Sequence, residues 1–177
     1  MVEQVQIDKL KEKMALERGR LLSVLESLPE TDADTPRKSG DWSAKQQMSH
    51  LCEMESAYRA WVERALAEDG VSLDGVGGEP VAIPLERAHL HSASEHVAQM
   101  RRQRGETLAV IERMRPTDYD RTATSSVFGT LTVMQWLRSY YRHDRMHYDQ
   151  VRGEEPSYKP RFRSGQEPDQ RRPSAAG

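Results

Sequence analysis

The sequence contains a single cysteine, Cys52, so no disulfide can form within the chain. No apolar run approaches the roughly 20 residues needed to span a bilayer. The first residues lack the apolar stretch and small-residue cleavage site of a secretion signal. A soluble protein of the reducing cytoplasm, with no membrane partner, is therefore expected. Charge of one sign is also missing: 26 Lys and Arg are interleaved with 28 Asp and Glu, for a formal net charge of -2. That balance offers no strong basic field, so a nucleic-acid partner is not expected. The pairs Arg101-Arg102 and Arg171-Arg172 read as solvated faces.

What is present is regular. Charged residues make up 31% of the chain and mean hydropathy is -0.82, yet Leu, Val, Met and Ala recur at helical intervals. This is the pattern of a solvated helical protein rather than a disordered one. At 177 residues the chain fits one ordinary domain with a real core.

Four helices are predicted. Ile7, Leu10, Met14, Leu21, Val24, Leu25 and Leu28 keep a three-and-four spacing from about Gln4 to Leu28, and Pro29 ends that helix. Ser43-Ala44-Lys45-Gln46 is a capping box, in which serine and glutamine side chains satisfy each other's backbone, and it opens a second helix to about Glu68. Four glycines and two prolines mark Asp69 to Pro84 as a long irregular connection. A third helix starts between Leu85 and Ser92, with the box Ser92-Ala93-Ser94-Glu95 favouring the later start, and Pro116 stops it. The box Thr132-Val133-Met134-Gln135 opens a fourth helix to about Arg152, where Gly153 is placed to end it. Residues 1–152 thus form the domain. Residues 153–177 carry four prolines and no apolar period, and read as a largely disordered tail.

The fourth helix carries the sharpest signal. Val133, Trp136, Tyr140, His143, His147 and Val151 advance by three, four, three, four and four residues, so two histidines occupy core positions. Their separation of four stacks the rings on one helical face, close enough to chelate one ion. On the second helix His50 shares a face with Met54, Ala57 and Trp61 and also points inward. A buried imidazole is more often hydrogen-bonded than metallated, but three inward histidines on two helices strengthen the reading as a metal site.

Their levels constrain the topology. His50 lies roughly 10 Å from the start of its helix, while His147 and His143 lie roughly 8 and 14 Å from the end of theirs. These levels match when the second and fourth helices run antiparallel, which demands an up-down-down-up bundle. The crossover then falls between the second and third helices, where sixteen residues can span roughly 50 Å.

The segments Trp42-Ser43 through His50-Leu51-Cys52-Glu53-Met54-Glu55, and Gly129-Thr130-Leu131-Thr132 through His143-Asp144-Arg145-Met146-His147, resemble the DinB/YfiT-like family. The pattern is a tryptophan-serine helix start, a histidine in a His-Leu-x-x-x-Glu context and a closing His-Asp-x-x-His. The resemblance extends over about residues 5 to 152. It implies an all-α, up-down-down-up four-helix bundle with a three-histidine site, His50, His143 and His147, for one divalent ion such as nickel or zinc. It further implies a metal-dependent transferase acting on a small electrophile with a low-molecular-weight thiol. A noncatalytic metal-binding or stress-associated protein, and a dimeric interaction module whose histidines only pack, stand as alternatives.

Glu53, three residues after His50, and Asp144, three before His147, read most simply as solvated helix carboxylates and otherwise as candidates for acid–base work or for orienting the histidines. Tyr140, one turn before His143, reads first as a core residue and otherwise as a donor to a bound substrate. Cys52 lies about 200 degrees around the helix from His50 and should point away from the site. His89, His91 and His96 fall near the start of the third helix, at the end of the bundle where the site is expected to open.

Overall fold

The computed structural model describes residues 2–170; residue 1 and residues 171–177, with the Arg171-Arg172 pair and the end of the expected tail, lie outside the described residues. Four long helices form the body: α1 (Gln4–Ser27), α3 (Ala44–Ala67), α4 (Ala93–Glu112) and α5 (Val133–Val151), with a short α2 (Glu30–Asp34) between the first two. The predicted boundaries hold to within a few residues because local chemistry sets them. All three capping boxes form: Ser43 and Gln46 exchange bonds of 3.3 and 2.9 Å, and the boxes at Ser92 and Thr132 repeat the arrangement. Such a cap stabilises a helix start by about 1 kcal/mol.

The direction of each helix follows from its contacts. Along α3 and α4, Ser49 meets His96, Glu55 meets Arg104 and Arg59 meets Glu106, rising together, so these helices are parallel. Along α3 and α5 the order reverses, with Gln47 at His147, His50 at His143 and Trp61 at Trp136. Helices α1 and α5 run parallel, with Lys13 over the Tyr141 ring and Glu17 near Arg145.

Between α3 and α4 the chain returns along the flank of α3. Trp61 Nε1 donates to Val76 O at 2.9 Å, Ser56 Oγ to Glu79 O at 2.8 Å, and Leu85 N to Glu53 Oε1 at 2.9 Å. Gly78 is required there: a Cβ would come within 2.5 Å of the backbone of Ser56 and Ala57.

Several elements were not expected. A small sheet joins β1 (Val71–Ser72) in parallel to β2 (Thr122–Ser125), which pairs antiparallel with β3 (Gly129–Thr132). Two 3-10 turns, Leu85–Leu90 and Pro116–Asp120, lead into α4 and out of it. Strands of two to four residues are too short to show a period of their own.

The larger correction concerns the C-terminal segment. Expected as a disordered tail, residues 153–170 instead pack back across the bundle. Glu167 Oε1 accepts from Arg138 at 3.0 Å and its Oε2 lies 2.8 Å from Arg142. Gly165 N donates to Phe128 O at 3.0 Å, and Asp169 is 5% exposed with Tyr58 donating to it at 3.3 Å. Scattered single anchors, rather than an apolar stripe, hold this segment, which is why periodicity does not reveal it.

Candidate metal centre

His50 on α3 and His143 and His147 on α5 meet between the two helices. His50 Nε2 lies 3.2 Å from His143 Nε2, and His147 Nε2 lies 3.1 Å from the same atom. One ring nitrogen from each of the three lies within 4.8 Å of the others. Ligands at about 2.05 Å from one ion would be about 2.9 Å apart at right angles, about 3.3 Å apart in a tetrahedron and at most about 4.1 Å apart, so the two short separations suit a shared ion, and the His50–His147 pair, within 4.8 Å, joins them once it stands inside that limit. Among the described residues this is the one cluster of three or more His, Cys, Asp or Glu groups able to hold a metal.

Protonation favours the same use. Burial pulls the pKa of His143 and His147 well below the ordinary value, helped by the neighbouring histidines and by Arg18. Burial likewise lowers that of His50. All three rings are therefore neutral near pH 7, the form that ligates metal. For His147 the tautomer follows from Gln47. Gln47 Nε2 donates to Trp42 O at 3.3 Å, which turns its Oε1 toward His147 Nδ1 at 3.0 Å. An amide oxygen can only accept, so the proton sits on Nδ1 and the Nε2 lone pair faces the other histidines. The Trp42 ring stands 4.8 Å from that of His50 and covers it on the side of the helix start. Trp42 entered the sequence reading only as the tryptophan of the helix-start motif, and Gln47 was not singled out. The readable signal for Gln47 is its place three residues before His50, on the same helical face.

The candidates for acid–base work are placed elsewhere. Asp144, one residue after His143, is fully buried about 100 degrees around α5 from it. There it takes Arg104 Nη2 at 2.8 Å and Arg18 Nε at 3.1 Å. Glu55 completes this cluster, with Arg18 Nη2 at 2.5 Å and Arg104 Nε at 2.6 Å. Burial opposes charge on Glu55, but Arg104 and Arg18 outweigh it and hold its pKa below the usual range. Glu53 is occupied by the backbone of Leu85. Tyr140 is 2% exposed, edge-on to Tyr58 and beneath the Arg104 guanidinium. None of the three faces the cavity on the histidines. Cys52 is buried and its thiol is pushed up to about 12, chiefly by burial, so it is not a nucleophile.

The expected opening also moves. A cavity of about 260 Å³ is lined by His50 and His143 on the flank between α3 and α5, rather than at the bundle end. Met54, Tyr58, Trp61 and Met146 form its inner wall and Phe128 its edge, and the C-terminal segment covers it. A separate hollow of about 400 Å³ at the bundle end, near Arg37, Trp42 and Gln47, touches none of the three histidines. His96 is buried in α4 with its Nε2 2.8 Å from Ala88 O, while His91 pairs with Glu95 and His89 is exposed. None of these three lines either space.

Comparison with known proteins supports this architecture. A curated relative, the uncharacterized protein YuaE of Bacillus subtilis (strain 168), is 20% identical over 141 residues, 72% of this chain and 86% of YuaE. Among solved structures, YfiT from Bacillus subtilis superposes with a TM-score of 0.71 at 17% identity, covering 86% of this chain and 87% of YfiT. It is described as a probable metal-dependent hydrolase with an unusual four-helix bundle topology. The four-helix bundle protein TT2238 superposes with a TM-score of 0.61 at 20% identity, covering 83% and 98% of the two chains. These likenesses show the fold. Since the family model of the DinB superfamily matches residues 14–151, a stretch that includes all three histidines, the chain belongs to the DinB superfamily.

Proposed function

We propose that the protein binds one divalent metal ion, nickel or zinc, through His50, His143 and His147, and acts on a small molecule as a metal-dependent transferase that uses a low-molecular-weight thiol. The observation that carries this reading is the convergence of three ring nitrogens with the His147 tautomer set by Gln47. The donor chemistry fits such an ion: neutral imidazoles suit zinc and nickel, and three protein ligands leave a coordination position open, as in catalytic sites. When bound, the ion would act as a Lewis acid, lowering the pKa of a coordinated thiol or water and polarising its reaction partner. The chain's own part is to hold three neutral rings, to keep bulk water away by burying His143 and His147, and to leave half-buried His50 facing the cavity.

Hydrolysis of a small substrate is the second reading, favoured by the likeness to YfiT. Metal analysis of tag-free protein, followed by thiol-conjugation and hydrolysis assays on the loaded chain, tests both. About one ion per chain with thiol-dependent turnover is expected. Turnover without thiol would select hydrolysis, one ion without turnover would leave a binding protein, and no ion would reduce the histidines to packing.

A further inference from the structure

The cavity on the histidines has walls from two sources, and one of them is the C-terminal segment. Pro160, Arg161, Phe162, Pro168 and Asp169 form its outer side. Lys159 N donates to Gln170 O at 3.4 Å, so residues 160–169 close on themselves as a compact loop, a form of loop often used at functional sites. Both flanks of the loop are tied to the bundle. On one flank Gly165 N donates to Phe128 O, and Gly129 stands so close to Ser164 that a Cβ would come within 2.8 Å of its hydroxyl. On the other flank Arg142 Nη1 donates to Pro168 O at 3.3 Å and Tyr58 donates to Asp169 Oδ2. Ahead of these ties in the chain, the Phe162 ring stands 5.9 Å from that of Phe128. The Phe162 side chain is 70% exposed in spite of its size. A large aromatic left that open adds little to the core, and its remaining contact is with the cavity wall.

We infer that residues 160–169 are a lid that makes the open side of the histidine site a pocket for a small neutral molecule of about one aromatic ring, its polar end directed at His50 and His143. This inference rests on the metal reading above for its polar end alone. Size supports it, since about 260 Å³ lies just below the range of roughly 300–1,000 Å³ typical of drug-sized ligands. Wall chemistry supports it as well. Apart from the two imidazoles, Arg161 and Asp169, every lining residue is apolar or aromatic. Tyr58, Trp61, Phe128 and Phe162 are placed for edge contacts with a planar guest. Asp169 is taken up by Tyr58, so it serves as the latch of the lid. A strongly charged small thiol would lose its hydration on entry and meet Arg161 as the one guanidinium among mostly apolar walls.

Calorimetry and tryptophan fluorescence on the full chain, in which Trp61 is the tryptophan that lines the cavity, test the lid with three probes: phenol, benzenethiol and 2-sulfanylethanesulfonate. The metal-free chain should bind phenol, and Phe162→Ala should weaken that binding about fivefold, the loss expected for one aromatic contact. Since the Phe162 side chain is largely exposed, the variant should unfold at the same temperature and keep the zinc stoichiometry of the parent. On the zinc-loaded chain, benzenethiol should bind at least about tenfold tighter than the sulfonate. Phenol binding that Phe162→Ala leaves unchanged, no phenol binding to either form, or tighter binding of the sulfonate would each overturn the lid pocket. If zinc fails to bind while phenol still responds to Phe162→Ala, the metal reading falls and the pocket stands.

Discussion

Two buried polar clusters share α3 and α5, and they solve the cost of burial in opposite ways. In the first, Glu55 and Asp144 each take hydrogen bonds from both Arg18 and Arg104, so two negative and two positive groups neutralise one another. The arginines also reach the main chain, at Met100 O and Met14 O. Little capacity remains for an outside ligand. In the second, His50, His143 and His147 meet burial by remaining neutral, and their lone pairs converge with no counter-charge between them. A saturated cluster holds the bundle, whereas an unsaturated one is open to chemistry. The two stand one residue apart on α5, at Asp144 and His143.

Breaking the ionic cluster should give the largest effect. Glu55→Ala strands two buried guanidinium groups with one shared carboxylate, and should cost about 3–5 kcal/mol in urea unfolding. Replacing all four charges together with apolar residues of similar volume should cost far less, since nothing buried is then left unpaired. Equal losses in the two variants would remove the distinction drawn here.

The histidine cluster should respond in the opposite sense. His147→Ala should reduce the bound metal from about one ion per chain to near none. It should cost metal-free stability only about 1–2 kcal/mol, the scale of a small internal cavity. Metal analysis and urea unfolding of the same preparation read both quantities. A loss of stability as large as that of Glu55→Ala, with metal retained, would make the histidines structural.

Gln47→Leu sharpens the comparison further, because it leaves all three ligands and removes the acceptor that fixes the His147 tautomer. Metal affinity should fall about 10–100-fold, with an unfolding temperature close to that of the parent. Unchanged affinity in a competition titration with a chelator would show that the tautomer is set by something else.

The smallest effect is one of pH on the metal-free chain. The folded pKa values of His50, His143 and His147 lie below the ordinary value of 6.5. The unfolded chain therefore binds protons that the folded chain refuses, and stability should fall as pH drops below about 6.5. Asp169 acts the other way: burial raises its pKa to about 6, so what it contributes is lost as pH rises through that value. Glu55 adds no slope there, because it is held below its ordinary range. A double variant, His143→Gln with His147→Gln, should flatten the acid limb of the unfolding profile. An unchanged slope would rule out the histidines as its source.

Much of the bundle was legible because its causes are local. Helix starts sit at capping boxes, and ends sit at Pro29, Gly153 and the residues before Pro116. The inward face of His143 and His147 follows from their spacing. Asp144 was misread as a neighbour of the site because one residue turns the side chain by about 100 degrees, toward α1 and α4. Glu53 does share the face of His50, but its carboxylate is taken by a backbone amide 32 residues away. The C-terminal segment was read as disordered on composition alone, since prolines without an apolar period do not disclose anchors such as Glu167 and Asp169.

By itself the sequence determined where the four helices lie, which histidines face inward and how far apart their levels stand, because caps, breakers and the 3.6-residue period act over a few residues. Only the tertiary structure decided which charges neutralise which, that Gln47 sets the His147 tautomer, and that residues 160–169 cover the open side of the site. Each of these depends on side chains brought together from distant parts of the chain, as Arg18 and Asp144 are from 126 residues apart. Such pairings leave no periodic trace, because they are fixed by how the helices pack and not by the conformation of any one of them.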